Sequence, residues 1–329
     1  MTVETLTTQW DKVFPQSDGV DHEKVTFHNR FGITLAADLY RPKNTTGRLP
    51  ALAVSGPFGA VKEQSSGLYA QTMAERGFLT VAFDPSYTGE SGGTPRRVSS
   101  PDINTEDFSA AVDYLLQRDD VATEAVGIIG ICGWGGIAVN AAALDPRIKA
   151  TVASTPYVLT RVATKGYFDA DDTADKRMAA RRAMAAQRSL DHAHGTYERA
   201  GGVIDPLPAG APEFLADYHA YYKTPRGYHA RAGNSTDGWN ATSNLSWMNT
   251  NLLQFASEIE NPVMVLHGEK AHSRYMGEDA FDLLTGDNKE LVIVPGASHT
   301  DLYDGGYSNA IPFDTIERFF ASYLGVERD

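Results

Sequence analysis

Apolar and polar positions along this chain change period in an orderly way. From His22 to Arg30 and from Ile33 to Tyr40 they alternate around Phe31-Gly32. A period of two on either side of a turn predicts an antiparallel hairpin. Three later runs, Leu49–Ser55, Leu79–Phe83 and Ala125–Ile131, are apolar almost without interruption. Strands buried on both faces have that composition, so these predict central parallel strands. Between and after them, near Gln64–Arg76, Asp102–Gln117 and Gly135–Leu144, apolar residues recur three and four apart. That spacing predicts helices. Lys149–Ser154 predicts another strand.

The rhythm then stops. Thr173–Glu198 is rich in Ala and Arg and reads as helical. Pro206–Pro212 reads as a connector, and Asp217–Trp247 carries many Tyr, Asn and Trp without a strand period. Strand-like and helix-like segments resume with Pro262–His267, Glu278–Leu284, Leu291–Val294 and Phe313–Tyr323. Strands alternating with helices predict an α/β fold, a mostly parallel sheet with helices on both faces. The expected organisation is a core of residues 20–155 and 256–329, with residues 156–255 inserted as a helical cap or lid. The aromatic residues of the insertion suit either a second small core or a surface facing a ligand.

Composition narrows the function. With 329 residues, 42% of them hydrophobic, the chain can bury a large core. Its longest apolar runs, such as Val263–Leu266, fall far short of the ~20 residues of a membrane helix. The opening MTVETLTTQWDKVF lacks the basic and then apolar order of a signal peptide, so a soluble, cytoplasmic protein is expected. A net charge of −13 suits neither phosphate backbones nor anionic lipid surfaces, so no nucleic acid and no membrane partner is expected. The single cysteine excludes an internal disulfide and any cysteine-based zinc or iron–sulfur site. No metal or organic cofactor is expected.

That cysteine lies in the most telling segment, Val126-Gly-Ile-Ile-Gly-Ile-Cys132-Gly-Trp-Gly-Gly136. A buried strand that ends in a sharp Gly-rich turn before a helix holds a nucleophile above the sheet. The free N–H groups and dipole of the new helix favour a thiolate there, so Cys132 is expected to be activated by position. The usual elbow has a small residue two positions after the nucleophile, and this one has Trp134. Two similar motifs lack the context. Gly89-Glu-Ser91-Gly-Gly93 matches the serine elbow in letters, but Ser91 lies in a loop that no helix follows. Gly133-Trp-Gly135-Gly-Ile-Ala138 matches a dinucleotide fingerprint, yet the next strand ends at Val152-Ala-Ser154 without the carboxylate a ribose needs.

Among nine histidines, His299 lies just past the last strand, where a loop reaches back over the elbow. It is the best-placed base. His267 reads as a packed residue at a strand end, and His192 and His194 as surface residues.

Gly56-Pro-Phe-Gly-Ala-Val-Lys-Glu-Gln64, Phe83-Asp-Pro-Ser-Tyr-Thr-Gly-Glu-Ser91, the elbow and Gly296-Ala-Ser-His-Thr-Asp-Leu-Tyr303 together resemble the α/β-hydrolase superfamily. The resemblance is strongest to its dienelactone-hydrolase-like and bacterial YcjY-type branch, which includes fungal polyketide acyltransferases. It covers roughly residues 20–325. It implies an acyl-enzyme mechanism with Cys132 as nucleophile and His299 as base. It also implies an oxyanion hole from the backbone N–H of Gly133 and from the Pro57-Phe58-Gly59 loop. The chain departs from the family at the acid, where Gly268-Glu-Lys-Ala271 puts Ala in place of Asp. Glu269 is the expected substitute, with Asp279 and Asp301 as alternatives. A thiolate–imidazolium pair tolerates a weak third member better than a serine does.

The expected activity is hydrolysis or transfer of an ester, lactone or thioester acyl group. The expected partner is a small, largely apolar acyl substrate, and a homo-oligomer stays open. The alternative, permitted by Trp134 and Ala271, is an inactive α/β-hydrolase relative that binds a small molecule.

Overall fold

In a computed structural model, which describes residues 6, 7 and 9–325, the two period-two segments pair along their whole length. Strands β1 (Val20–His28) and β2 (Thr34–Pro42) are antiparallel, with Val20 opposite Pro42 and His28 opposite Thr34. The apolar runs become β3 (Leu49–Ser55), β4 (Leu79–Phe83) and β5 (Val121–Ile131), followed by β6 (Ala150–Ser154). After β6 the chain leaves this sheet, forming only a two-residue ribbon of β7 (Arg199–Ala200) and β8 (Trp239–Asn240). It returns as β9 (Val263–Gly268) and β10 (Lys289–Val294). The eight-stranded sheet runs β1-β2-β4-β3-β5-β6-β9-β10. Every pair from β4 to β10 is parallel, and β2 is antiparallel to both neighbours.

Successive strand residues point to opposite faces, which splits the core in two. Ile128 faces helices α2 (Pro101–Leu116) and α3 (Gly133–Leu144) through Phe108, Val112, Leu115, Ile137 and Ala141. Ile129 lies on the other side with Tyr69 and Met73 of α1 (Ser65–Glu75) and with Phe319 and Phe320 near the chain's end. Covered faces explain why β4 is buried throughout, with Thr80 bonded to Ala70 O, and why the second half of β5 is wholly apolar.

The segment between β6 and β9 supplies α4 (Leu159–Lys165), α5 (Ala174–His194), α6 (Glu213–Tyr222) and the one-turn α7 (Asn244–Trp247). Then follow α8 (Arg274–Asp282), the one-turn α9 (Asp301–Asp304) and α10 (Phe313–Leu324). Three helices differ from expectation. Helix α3 starts at Gly133, two residues early, because Gly133 and Trp134 already belong to its first turn. Helix α8 starts four residues before Glu278. Helix α6 occupies part of the stretch read as rhythmless; Phe214, Tyr218, Tyr221 and Tyr222 do have helical spacing there. The carboxyl ends of β3, β5, β6 and β9 open on one edge, where parallel sheets place their ligand crevices.

Candidate active site

Strand β5 delivers Cys132 to this edge and α3 carries the chain away. The turn leaves Cys132 at φ 58° and ψ −125°, a conformation costly for any residue with a side chain. Cys132 N donates to Ser154 O at 2.9 Å, and its carbonyl accepts from Gly135 N at 2.8 Å and Tyr157 N at 2.9 Å. The backbone is therefore fixed on both sides. Gly130 leaves no room for a side chain, since a Cβ there would sit 2.0 Å from Trp134 O. Trp134 replaces the usual small residue without blocking the turn. Its ring packs edge-on to Phe83 and Phe108 in the core, and Gly56 makes the space: a Cβ on Gly56 would lie 2.8 Å from that of Trp134.

Three groups converge on the Cys132 sulfur: the backbone N–H groups of Gly133 and Phe58, and the Tyr303 hydroxyl. Gly133 is the first residue of α3 and Phe58 lies in the loop after β3, so the two N–H groups come from different elements. Gly59, also expected as a donor, instead turns the loop at φ 76° and ties its carbonyl to Asn234 N at 3.0 Å.

Farther along, the same loop is anchored by a buried ionic cluster that the sequence reading missed. Lys62 Nζ lies 2.8 Å from Glu63, 2.8 Å from Asp84 and 2.6 Å from Glu90. The other oxygen of Asp84 accepts from Lys62 N at 2.8 Å. Arg231 and Lys24 complete the charge balance on Glu63 at 2.8 and 3.2 Å. Ser91 is structural: its buried hydroxyl donates to Asp84 O at 2.7 Å and accepts from Ala36 N at 2.8 Å.

His299 reaches the elbow, but with other partners than expected. Its Nε2 is 3.0 Å from the Tyr303 hydroxyl, which stands between it and Cys132. Its Nδ1 faces two hydroxyls, Ser273 Oγ at 2.6 Å and Thr155 Oγ1 at 3.0 Å. Thr155 follows β6 at φ 43°, a strained conformation for a β-branched residue, and its N–H is held by Leu266 O. Glu269 is not the partner of His299. Its side chain lies on the exposed loop and accepts from Gly296 N at 2.8 Å. Asp279 pairs with Arg161, and Asp301 accepts from Ser298 N at 2.9 Å. Among the described residues no carboxylate bonds to His299. A longer side chain at 269 does not help, because the loop turns it away from the sheet edge.

Residues 32–301 match the X-Pro dipeptidyl-peptidase (S15) family. The chain belongs to that family. The S15 family typically uses a serine nucleophile, and in this chain the turn between β5 and α3 carries Cys132. It is 57% identical to the uncharacterized protein PA2218 of Pseudomonas aeruginosa, over 97% of this chain and 85% of that one. The crystal structure of PA2218 superposes with a TM-score of 0.94 at 56% identity, covering 98% of this chain and 99% of that one. The uncharacterized protein YcjY of Escherichia coli is 34% identical over 92% of this chain and 99% of its own. The acyltransferase drtE of Aspergillus calidoustus is 31% identical over 50% of this chain and 52% of its own. The fold and these relatives make the protein an α/β-hydrolase of the hydrolase and acyltransferase class.

Within the S15 frame, burial sets the electrostatics of the site. It pushes the Cys132 thiol up, and the bonds that its thiolate form would accept from Tyr303, Gly133 and Phe58 only partly offset it. Burial, aided by the neighbouring His272 and His267, pushes His299 well below the usual histidine range. The resting pair is therefore a neutral thiol and a neutral imidazole, not the ion pair expected from a helix N-terminus. Desolvation outweighs the dipole here.

Above Cys132 lies a cavity of about 590 Å³. Its walls include Leu159, Val162, Met184, Leu215, Trp239 and Trp247, all from the segment between β6 and β9. Exposed Tyr167 and Ile204 mark its opening. Part of the insertion's aromatic content thus faces the cavity, while Tyr221 and Tyr222 are fully buried in the core. Among the described residues, no group of three or more His, Cys, Asp or Glu could hold a metal ion, and no helix is long and apolar enough to cross a membrane.

Proposed function

We propose that this protein hydrolyses or transfers the acyl group of an ester or thioester through a covalent intermediate on Cys132. One observation carries the reading. A thiol held in a strained turn at the floor of an apolar cavity faces two backbone N–H donors from different elements. Strain at a candidate nucleophile is maintained only where surrounding structure over-determines it. The sulfur attacks the carbonyl carbon, and the carbonyl oxygen takes the negative charge between Phe58 N–H and Gly133 N–H. Removing one such donor typically costs about 10²- to 10³-fold in rate. His299 accepts the thiol proton and returns it to the leaving alcohol or thiol. Water or a second alcohol then displaces the acyl group from sulfur.

Thioesters suit a sulfur nucleophile because acyl transfer between two sulfurs is close to isoenergetic, and drtE is named as an acyltransferase. Apolar cavity walls favour an apolar acyl chain, whose burial gains roughly 0.8 kcal/mol per methylene. The alternative of an inactive binding protein has less support, since Trp134 fills core rather than cavity and hydroxyls meet the histidine where Ala271 provides no carboxylate. A panel of aryl esters and acyl thioesters of increasing chain length, assayed on the wild type and Cys132→Ala, tests the reading. Turnover should rise with chain length and vanish in the variant. Equal turnover by Cys132→Ala would refute it.

A further inference from the structure

We propose that the Tyr303 hydroxyl is a catalytic residue that relays the proton between Cys132 and His299. The inference rests on the reading of Cys132 as nucleophile. The Tyr303 oxygen lies 3.0 Å from His299 Nε2 and also bonds to the Cys132 sulfur. No direct hydrogen bond joins Cys132 to His299 among the described residues. A thiol proton bound for the imidazole therefore meets the tyrosine first.

The surroundings make this a fixed path. Tyr303 follows His299 by four residues, and its ring stands at 76° to the imidazole with centroids 5.4 Å apart. Tyr221 and Tyr222 pack edge-on against the same ring at 5.1 and 6.1 Å. The one-turn α9 that carries Tyr303 is tied down twice. Tyr69 donates to Leu302 O at 2.8 Å, and Arg226 pairs with Asp304 at 2.7 Å. Fully buried, the ring is held beside His299 by these contacts.

The tautomer fits as well. With Nδ1–H donating to Ser273 Oγ, Nε2 carries a lone pair and accepts from the Tyr303 O–H. The tyrosine oxygen in turn accepts from the Cys132 S–H. In the acylation step the S–H proton moves to the tyrosine oxygen as the tyrosine proton moves to Nε2. A thiolate, a neutral tyrosine and an imidazolium result. The sulfur then bonds to the carbonyl carbon, and the carbonyl π pair moves onto oxygen. On collapse the bond to the leaving group breaks, and its oxygen or sulfur takes the Tyr303 proton as Nε2–H returns a proton to the tyrosine oxygen. The tyrosine never persists as a phenolate, which its fully buried position would penalise.

Tyr303→Phe keeps the ring and deletes only the hydroxyl. With the best ester of the panel, kcat should fall about 100-fold or more, with KM within about threefold, as expected for a lost proton-transfer group. The double variant Tyr303→Phe/His299→Ala should be no more than about threefold slower than His299→Ala, because both deletions break one path. A merely structural tyrosine would not affect the number of protons in flight. In mixtures of light and heavy water, wild-type kcat/KM should curve with deuterium fraction, as two moving protons require. Wild-type turnover with a linear dependence would overturn the relay even if Tyr303→Phe does not fold. Turnover of Tyr303→Phe within threefold of wild type would also overturn it, while Cys132-dependent turnover left the nucleophile reading intact. Turnover independent of Cys132 would remove both.

Discussion

Two buried polar regions share the Pro57–Gln64 loop, and they are built in opposite ways. At the end of the loop, Lys62 and Glu63 join Asp84, Glu90, Lys24 and Arg231 in a cluster of full charges with short ion pairs. Near its start, beside Phe58, Cys132, Tyr303, His299, Ser273 and Thr155 form a chain of neutral groups. Burial works against the Lys62 ammonium, but the carboxylates of Asp84, Glu63, Asp38 and Glu90 outweigh it and hold it charged. Burial works equally against a thiolate and an imidazolium at the site, and nothing there outweighs it. Permanent charge fixes the backbone that presents Phe58 N–H. In the proposed mechanism, charge at the site is created only when a substrate arrives, and the Phe58 and Gly133 N–H groups receive it.

That contrast can be broken most severely at Lys62. Lys62→Met leaves several buried carboxylates without their central partner, which typically costs about 3–5 kcal/mol. Urea unfolding should show the loss, and a cost below about 1 kcal/mol would mean that the ions do not support the fold. His299→Ala should do the reverse. Its kcat should fall about 10²- to 10⁴-fold with stability within about 1 kcal/mol of wild type. Mass spectrometry should find an acyl group lingering on Cys132, because deacylation lacks a base to activate water. Undiminished turnover would remove His299 from the mechanism.

Acidity sharpens the comparison further. Burial lowers both His267 and His272 to about 4, against 6.5 for an ordinary histidine. On acidification the unfolded chain therefore takes up their protons first. Stability from these two groups is complete above pH 6.5 and is lost as the pH falls toward 4. The melting temperature should decline through that window, and a flat profile would contradict a neutral histidine cluster. The smallest effects are expected around the imidazole. Ser273→Ala removes one neutral hydrogen bond and should cost about tenfold in kcat. Glu269→Gln should remain within about threefold of wild type, and a larger loss would restore the carboxylate that the geometry removes.

The elbow was legible because it is local. An apolar strand, Cys132 and a Gly-rich helix start are contiguous, and sequence spacing then equals spatial order. His299 was legible by its place after the last strand. Its support was not. Ser273 and Thr155 come from loops after different strands, and neither belongs to a pattern that marks a histidine partner. The sequence showed only that Ala271 is no acid, and the nearest carboxylate in sequence points away. Tyr303 left a signal in the His-Thr-Asp-Leu-Tyr spacing, since residues four apart share one side of a helical turn. The ionic cluster left none, because Lys62, Asp84 and Arg231 are ordinary charged residues until the fold buries them together.

The central claim is that an acyl group rests on Cys132. Its direct test is peptide mapping by mass spectrometry after a brief exposure of wild-type protein to an activated acyl ester or thioester. One acyl mass on the peptide containing Cys132, absent in Cys132→Ala and accumulating in His299→Ala, is the predicted result. Turnover by Cys132→Ala with the acyl mass on another residue, such as Ser91, or with no adduct at all, would contradict it.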